Sequence, residues 1–213
     1  MPAMHAIHPA RLATWSAAWQ ALGVVPDPTL CDRLLAAHAE PQRHYHTQQH
    51  LDECLAWFER LQATAERPAE VAIALWFHDA VYDVHGAHDN EARSASWART
   101  ELTAAGAAPD VGERVHALVM ATRHDALPEG RDAQLLIDID LSILGASAER
   151  FAQYEAQVLA EYAHVPAAVR GPRRRAILQR FLDRPAIYAT AAMHALLEAP
   201  ARRNLTRSIA ALA

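Results

Sequence analysis

Two histidines and two aspartates provide the most specific chemistry in this sequence. The doublet His78-Asp79 follows His50 by 28 positions and precedes Asp140 by 61 positions. Two imidazoles and two carboxylates suit Mn, Fe, Co, Ni or Zn better than a thiolate-loving metal or an all-oxygen calcium site. The four residues therefore predict a site for one divalent transition metal, and the ligand types leave its identity open.

The sequence neighbours of these residues indicate burial. In a helix, residues three and four positions apart share a face, and Asp140 would share its face with four apolar residues. These are Leu136, Ile137, Ile143 and Leu144. The surroundings of His78 are similarly apolar. An ionised carboxylate on such a face is costly unless a metal ion or a paired base compensates it. The alternative interpretation of the doublet is a core histidine hydrogen-bonded to its neighbouring acid.

For two of the four predicted ligands, a nearby residue of the same type is an alternative metal ligand. Asp138 competes with Asp140 in the segment LLIDIDLSILG. We favour Asp140, because Asp138 has mixed helical neighbours and is expected to be half exposed. His46 lies one turn before His50 and could also face the metal. We favour His50 as the ligand and expect His46 at a helix N-terminus, in contact with substrate or in a polar rim.

Four protein ligands leave coordination positions open for water and substrate. A divalent ion in such a site can lower the pKa of bound water from about 15.7 to about 7 and can polarise a phosphoryl oxygen. This combination is typical of hydrolases.

The elements that must position these residues are helices. The 213 residues include only 7 glycines, alanine is frequent, and alternating β-branched segments are missing. Prolines separate segments of helix length. The sequence therefore predicts an all-α protein of about ten helices. The approximate spans are 9–22, 28–38, 48–65, 68–82, 89–106, 110–123, 132–144, 147–163, 172–182 and 186–195, with a last helix near 200–211.

Composition narrows the functional classes. The net charge of −5 provides no general attraction for nucleic acid or an anionic bilayer. All 20 basic residues are arginine, which excludes a Schiff-base lysine and a P-loop. Two cysteines are too few for a disulfide framework, and no stretch approaches the length of a membrane span. We expect a soluble, cytoplasmic protein, and the sequence leaves the formation of a homo-oligomer open.

The ordered set of His, His-Asp and Asp in an all-α chain resembles the HD superfamily of metal-dependent phosphohydrolases. More narrowly, YHTQQHL at 45–51, WFHDAVYD at 76–83 and DNEARSA at 89–95 resemble a bacterial branch of predicted HD phosphohydrolases whose substrate is unsettled. The similarity covers roughly residues 43–145. It implies a single HD-type helical domain over 1–213, with flanking helices on both sides of this core. It also implies that His50, His78, Asp79 and Asp140 bind the metal.

The resemblance implies hydrolysis of a phosphoester or phosphoanhydride in a small metabolite, most plausibly a nucleotide. Two other uses of the same residues stay open: a di-iron oxygenase and a non-catalytic ligand-binding module. The oxygenase needs additional histidines, for which His88, His116 and His124 are available.

Six further residues are candidates around the metal site. In the resembling proteins an acid shortly after the doublet acts on the water, which suggests Asp83 as a catalytic acid or base; a surface acid at a helix end is the alternative. Asn90 and Glu91 begin a helix and are candidates for substrate contact and catalysis, although helix capping alone also accounts for them. Candidates for substrate binding are Arg43, His46, Asn90 and His124, and Arg43 could clamp a phosphate.

One basic run has no assigned role. Arg170 and Arg173–Arg175 would lie near a helix N-terminus, where positive charge opposes the helix dipole. Salt bridges or a bound anion would therefore have to maintain the run, unless it is solvated surface.

Overall fold

A computed structural model describes residues 9–85 and 89–212. Over these residues the chain forms ten α-helices and two short 3₁₀ helices, and no strand, so the predicted all-α class is confirmed. The α-helices are α1 (Pro9–Ala21), α2 (Leu30–Ala37), α3 (Gln48–Leu61), α4 (Pro68–Phe77), α5 (Asn90–Ala104), α6 (Pro109–Ala121), α7 (Arg131–Asp140), α8 (Ala148–Glu161), α9 (Ala167–Leu182) and α10 (Ala191–Ala211). The 3₁₀ helices are Gln62–Thr64 and Leu141–Gly145. The candidate His88 lies outside the described residues.

Several helix starts follow from local chemistry. Pro68 and Pro109 occupy the first helical position, where the missing N–H has no partner to lose. Thr47 and Ser147 precede α3 and α8, and their hydroxyls accept backbone N–H groups of the first turn. These caps fix the N-terminal ends of α3 and α8.

Prolines separate the helices less often than the sequence suggested. Pro172 lies inside α9 and Pro200 lies inside α10, so the predicted start at 172 and the predicted break between 195 and 200 are wrong. A proline inside a helix removes one hydrogen bond to the carbonyl four residues earlier. For Pro200 that carbonyl belongs to Leu196, whose side chain is 51% exposed, so water can reach this face of the helix. Packing of the opposite face of α10 holds the helix together.

Helix α4 forms the centre of the core. Every residue from Glu70 to Phe77 is buried, and α1, α3, α5, α6 and α7 pack around it. The one acid in this run, Glu70, accepts two hydrogen bonds of 2.7 and 2.8 Å from the guanidinium of Arg114. The surroundings of α4 therefore fix its C-terminal end, from which the His-Asp doublet follows.

The C-terminal helix α10 packs against the 3₁₀ helix that follows α7. At this contact a Cβ added to Gly145 would lie 2.6 Å from Cβ of Leu197, which is too close for two carbon atoms. Only glycine therefore allows α10 to pack this closely. Among the described residues, no helix combines the length and the hydropathy needed to cross a membrane.

Candidate metal centre

The four predicted ligands lie where three helices begin or end. His50 is in the first turn of α3, and Asp140 is the last residue of α7. The prediction that the doublet lies inside a helix is wrong. Helix α4 ends at Phe77, and His78 is its C-terminal cap. The chain turns after the cap, so His78 and Asp79 are not constrained to the divergence of about 100° that neighbours on a helix have.

The polar atoms of these four residues converge. The Nε2 atoms of His50 and His78 are 3.1 Å apart. Oδ1 of Asp140 lies 3.2 Å from Nε2 of His50 and 3.7 Å from Nε2 of His78. Oδ2 of Asp79 lies 3.0 Å from Nε2 of His78 and 3.5 Å from Nε2 of His50. Ligands about 2.1 Å from one ion are separated by about 3.0 Å in octahedral and about 3.4 Å in tetrahedral geometry. The observed separations match those of atoms that share one ion.

The hydrogen bonds of His78 leave its inner nitrogen available. Nδ1 of His78 lies 2.8 Å from the carbonyl of Leu75, to which it donates, so Nε2 can present a lone pair to the cluster. Oδ2 of Asp79 is buried and has no hydrogen bond of acceptable direction. A lone pair and a carboxylate oxygen this close need a cation or a proton between them.

A proton is the alternative to a metal ion. Burial disfavours the charged imidazole, but the carboxylates of Asp79 and Asp140 outweigh burial and raise the pKa of His78 to about 9. Burial likewise opposes the charged form of Asp79, yet the nearby histidines hold its pKa well below the usual range. The site therefore favours positive charge at its centre, and a divalent ion would compete with protons for the same atoms.

A cysteine that the sequence analysis left out belongs to the same cluster. His50, Cys54, His78 and Asp140 each place a ligand atom within 4.8 Å of the others and could hold a metal ion. The spacing in the sequence could have indicated this residue, because Cys54 lies one helical turn after His50 and therefore shares its face of α3. Its sulfur is 3.7 Å from Nε2 and 3.8 Å from Nδ1 of His50, so it faces the ring and not the nitrogen lone pair. Burial, then Asp140 and Asp79, raise the pKa of this thiol well above its usual value.

Asp140 and not Asp138 lies beside the histidines. The expectation that Asp138 is half exposed is wrong, since it is 1% exposed. Its carboxylate accepts hydrogen bonds from the backbone of Ala189 (2.9 Å) and from the backbone and hydroxyl of Thr190 (2.7 and 2.6 Å). Asp138 therefore anchors the segment before α10.

His124 holds the other oxygen of Asp140. Its Nε2 lies 3.1 Å from Oδ2 of Asp140, which leaves Oδ1 towards His50 and His78. Burial alone would raise the pKa of Asp140, but hydrogen bonds from His124 and His50 lower it. His124 has a φ of 56°, the left-handed region that a non-glycine residue rarely adopts. The turn after α6 thus directs the ring of His124 at a candidate ligand.

The side chain of Arg43 is buried and stabilises the backbone that follows His78. It is 5% exposed, and its guanidinium donates to the carboxylate of Glu40 and to the backbone carbonyls of Asp79 (2.5 Å) and Ala80 (3.0 Å). The predicted phosphate clamp does not fit this arrangement, since the donors are engaged inside the protein. Arg43 instead holds the chain that follows His78 in its turn.

Glu161 organises the segment before α3. One of its oxygens accepts the backbone N–H groups of residues 44–46 at 2.7 to 3.0 Å. The other lies 2.8 Å from Nδ1 of His46 and accepts the hydroxyl of Tyr82 at 2.9 Å. The rings of His46 and Tyr82 stack with centroids 4.1 Å apart. Glu161 is separated from Tyr82 by 79 positions and from residues 44–46 by more than 100, and no local pattern in the sequence indicates these contacts.

A cavity of about 510 Å³ opens beside the cluster. Helices α8 and α9 supply its far wall. On the near side it is lined by His46, His78, Asp79, Tyr82, Asn90, Glu91, His124 and Asp140. Asp83 does not line it: this residue is exposed, its carboxylate accepts the N–H of His85 at 2.8 Å, and its backbone pairs with the amide of Asn90. Of the two predicted acid/base residues, only Glu91 faces the cavity.

No family model matches the chain, and no curated protein or solved structure is significantly similar to it. What the described residues do show is a His, Cys, His and Asp group, largely buried in an all-helical fold, that could hold a metal ion.

The first prediction concerns the ligands. The purified protein should carry about one divalent transition metal per chain, and His78→Ala or Asp79→Ala should lose it because each removes one of about four ligands. Cys54→Ala should retain the metal, because the sulfur faces the ring of His50. Elemental analysis measures all three variants. Full metal content in both the His78 and the Asp79 variant would contradict the site, and its loss in the Cys54 variant alone would make the thiolate the fourth ligand.

The second prediction concerns Glu161. Burial raises its pKa, but the hydrogen bonds from His46 and the backbone outweigh burial and lower the pKa to about 2. The carboxylate therefore stabilises the fold above pH 4.5, the usual value, and this contribution is lost as the pH falls towards 2. Glu161→Gln should cost about 3 kcal/mol at neutral pH, and the difference should shrink below about pH 4.5. Urea unfolding across this pH range, with the exposed Glu149→Gln as control, measures it. A pH-independent difference would contradict the assignment.

Proposed function

We propose that this protein is a metal-dependent phosphohydrolase of the HD type, which hydrolyses a phosphoester or phosphoanhydride in a small metabolite. One observation carries the proposal. His50, His78, Asp79 and Asp140 come from three separate helix ends, and their side chains meet at 3.0 to 3.7 Å, with His78, Asp79 and Asp140 exposed to one cavity. This is the order of ligands in the proteins that the sequence resembles.

These four residues would hold the ion. When bound there, a divalent ion lowers the pKa of water into the neutral range and neutralises charge on phosphoryl oxygens. The apolar residues around the cluster exclude bulk water and strengthen the electrostatic interactions of the site. His124 keeps Asp140 in orientation, and Arg43 fixes the backbone of the doublet.

Two ionisable side chains of the cavity wall are suited to act on the substrate. Burial lowers the pKa of His46, but Asp79 and Glu161 raise it above its usual value, so the ring can carry positive charge towards a phosphate. Glu91 lies in the first turn of α5 and lines the same cavity. It can accept a proton from water or donate one to the leaving group.

A nucleotide is the preferred substrate in this proposal. The cavity volume lies within the range of about 300 to 1,000 Å³ typical of small-molecule sites. Tyr82 and Tyr162 line it with rings that are not fully buried, and these rings offer surfaces on which a planar base can stack.

The di-iron oxygenase has less support. It requires additional histidines near the ligands, and His124 is the described candidate that lines the cavity, whereas His116 does not. A non-catalytic module would be expected to have lost ligands, whereas the side chains of the four proposed ligands lie within 3.0 to 3.7 Å of one another, which favours the enzyme.

The third prediction tests the reaction. With Mn, Fe, Co, Ni, Zn or Mg added, the protein should release phosphate or pyrophosphate from at least one member of a panel of nucleoside mono-, di- and triphosphates and sugar phosphates. Released phosphate is measured directly, and Asp79→Ala serves as the inactive control. Absence of hydrolysis with every metal, together with oxygen-dependent turnover after anaerobic iron loading, would replace the proposal with the oxygenase.

The fourth prediction separates two acids of one segment. Glu91→Gln should keep the metal and lower turnover by roughly 10² to 10⁴, the usual loss when general acid/base help is removed. Asp83→Asn makes the same chemical change outside the cavity and should lower turnover by less than about tenfold. Steady-state kinetics and elemental analysis of both variants test this. The reverse order of effects would return Asp83 to the catalytic role expected from the sequence.

A further inference from the structure

One face of α9 forms the far wall of the cavity. Five of its residues line the cavity at helical spacing: Arg170, Arg173, Arg174, Ile177 and Phe181. Residues with this spacing share one side of a helix. The arginines of the first half of α9 and three of the proposed metal ligands, His78, Asp79 and Asp140, thus line one cavity. Arg175, the last of the basic run, does not line it and is exposed.

The charges of this face are only partly compensated. Arg174 is 8% exposed; it donates to the carboxylate of Glu155 and lies 4.9 Å above the ring of Tyr154. Arg170 donates to two backbone carbonyls at 3.3 Å, those of residues 159 and 162, and Arg173 is exposed. Within the part of the chain that the structure describes, neither Arg170 nor Arg173 forms an ion pair.

Three further features favour an anion at this face. Nε of Arg174 is buried and has no hydrogen-bond partner, so the charge of this guanidinium is incompletely satisfied by the protein. The first turn of α9 contains no acidic residue. The N-terminal end of α9, just before Arg170, also carries partial positive charge from the helix dipole. Arg174 is held by its salt bridge with Glu155, but among the described residues no salt bridge compensates Arg170 or Arg173, and a bound anion would.

The arginine wall is close to the metal cluster. The guanidinium of Arg174 lies 4.9 Å from the ring of Tyr154, which is 4.6 Å from the ring of Tyr45, which is 4.7 Å from the ring of His50. Three contacts therefore connect the wall with a ligand, and apolar side chains such as Val158 line the space between them. The arginines and three of the proposed metal ligands also line one cavity of about 510 Å³, a volume typical of small-molecule sites.

We propose that Arg170 and Arg173 bind a second phosphate group of the substrate, at the end of the cavity opposite the metal. The substrate class is then a small metabolite with two separated phosphate groups. A pair of guanidinium groups, always charged and with planar donors, is matched to a phosphate dianion better than to a monoanionic carboxylate. The link to hydrolysis rests on the function proposed above, but the anion site itself does not.

The test uses inorganic phosphate and the full chain with its metal. Isothermal titration calorimetry at low ionic strength compares the wild type with Arg173→Ala, Arg175→Ala and Asp79→Ala. Removal of a charge-assisted contact should weaken phosphate binding about tenfold in Arg173→Ala. Arg175→Ala removes the same charge outside the cavity and should change the affinity by less than about twofold. Both arginines are exposed, so neither variant should lose its fold, which circular dichroism checks.

The outcomes separate the anion site from the metal site. The arginine-dependent binding should persist in Asp79→Ala. Equal effects of the two arginine variants, no phosphate binding at all, or binding that depends on Asp79 but not on Arg173 would each overturn the proposal. If hydrolysis fails for every substrate while Arg173 still governs phosphate binding, the phosphohydrolase proposal falls and the anion site stands.

A matched pair of ligands tests the substrate class. Adenosine 3′,5′-bisphosphate should bind the wild type about tenfold more tightly than adenosine 5′-monophosphate, and this advantage should disappear in Arg173→Ala. Equal affinities of the two nucleotides for the wild type would overturn the assignment of a second phosphate.

Discussion

The desolvation of two carboxylates at the centre of an apolar helical protein is the constraint to which the rest of the structure responds. Asp79 and Asp140 lie against the core with only 18% and 13% of their side chains exposed. Removing such charges from water is costly unless positive charge or hydrogen-bond donors replace the water. His50, His78 and His124 supply part of this replacement, and a divalent ion would supply the rest. The helix ends that meet here let several polar groups approach one point without breaking a helix.

Other buried acids solve a related problem in the connecting segments. Backbone N–H groups outside helices need acceptors when they are buried. Glu161 accepts those of residues 44–46, Asp138 those of 189 and 190, and Glu198 those of 187 and 188. Each of these acids is on a helix and binds a segment that precedes a helix: another helix for Glu161 and Asp138, and its own helix for Glu198. The irregular segments are thus fixed by charge-assisted hydrogen bonds, which are stronger than neutral ones, and the segment before α3 places His46 at the cavity.

The sequence predicts the helical class well because its signal is local, but it predicts buried polar residues less well. Asp140 and His78 were identified from apolar neighbours on their own helices. The same reasoning misjudged Asp138, because the backbone of Ala189 and Thr190 buries it from another part of the chain. The prediction that Pro172 and Pro200 mark helix boundaries was wrong for a similar reason. The packing of α9 and α10 against the rest of the protein outweighs the one backbone hydrogen bond that each proline removes. Contacts between residues far apart in the sequence, such as that between Glu161 and His46, produce no periodic pattern from which they could be predicted.

The two halves of the cavity differ in how they can be recognised. The metal ligands and Glu91 come from residues 50–140, where short motifs with defined spacing indicate a known chemistry. The opposite wall comes from α8 and α9, where arginines, tyrosines and aliphatic residues are ordinary helical composition and become informative only once the fold places them around one space. In the proposed function, reaction type would depend on the first half and substrate choice on the second. Motifs can therefore point to the chemistry proposed for the first half, whereas the composition of the second half carries no such signal before the fold is known.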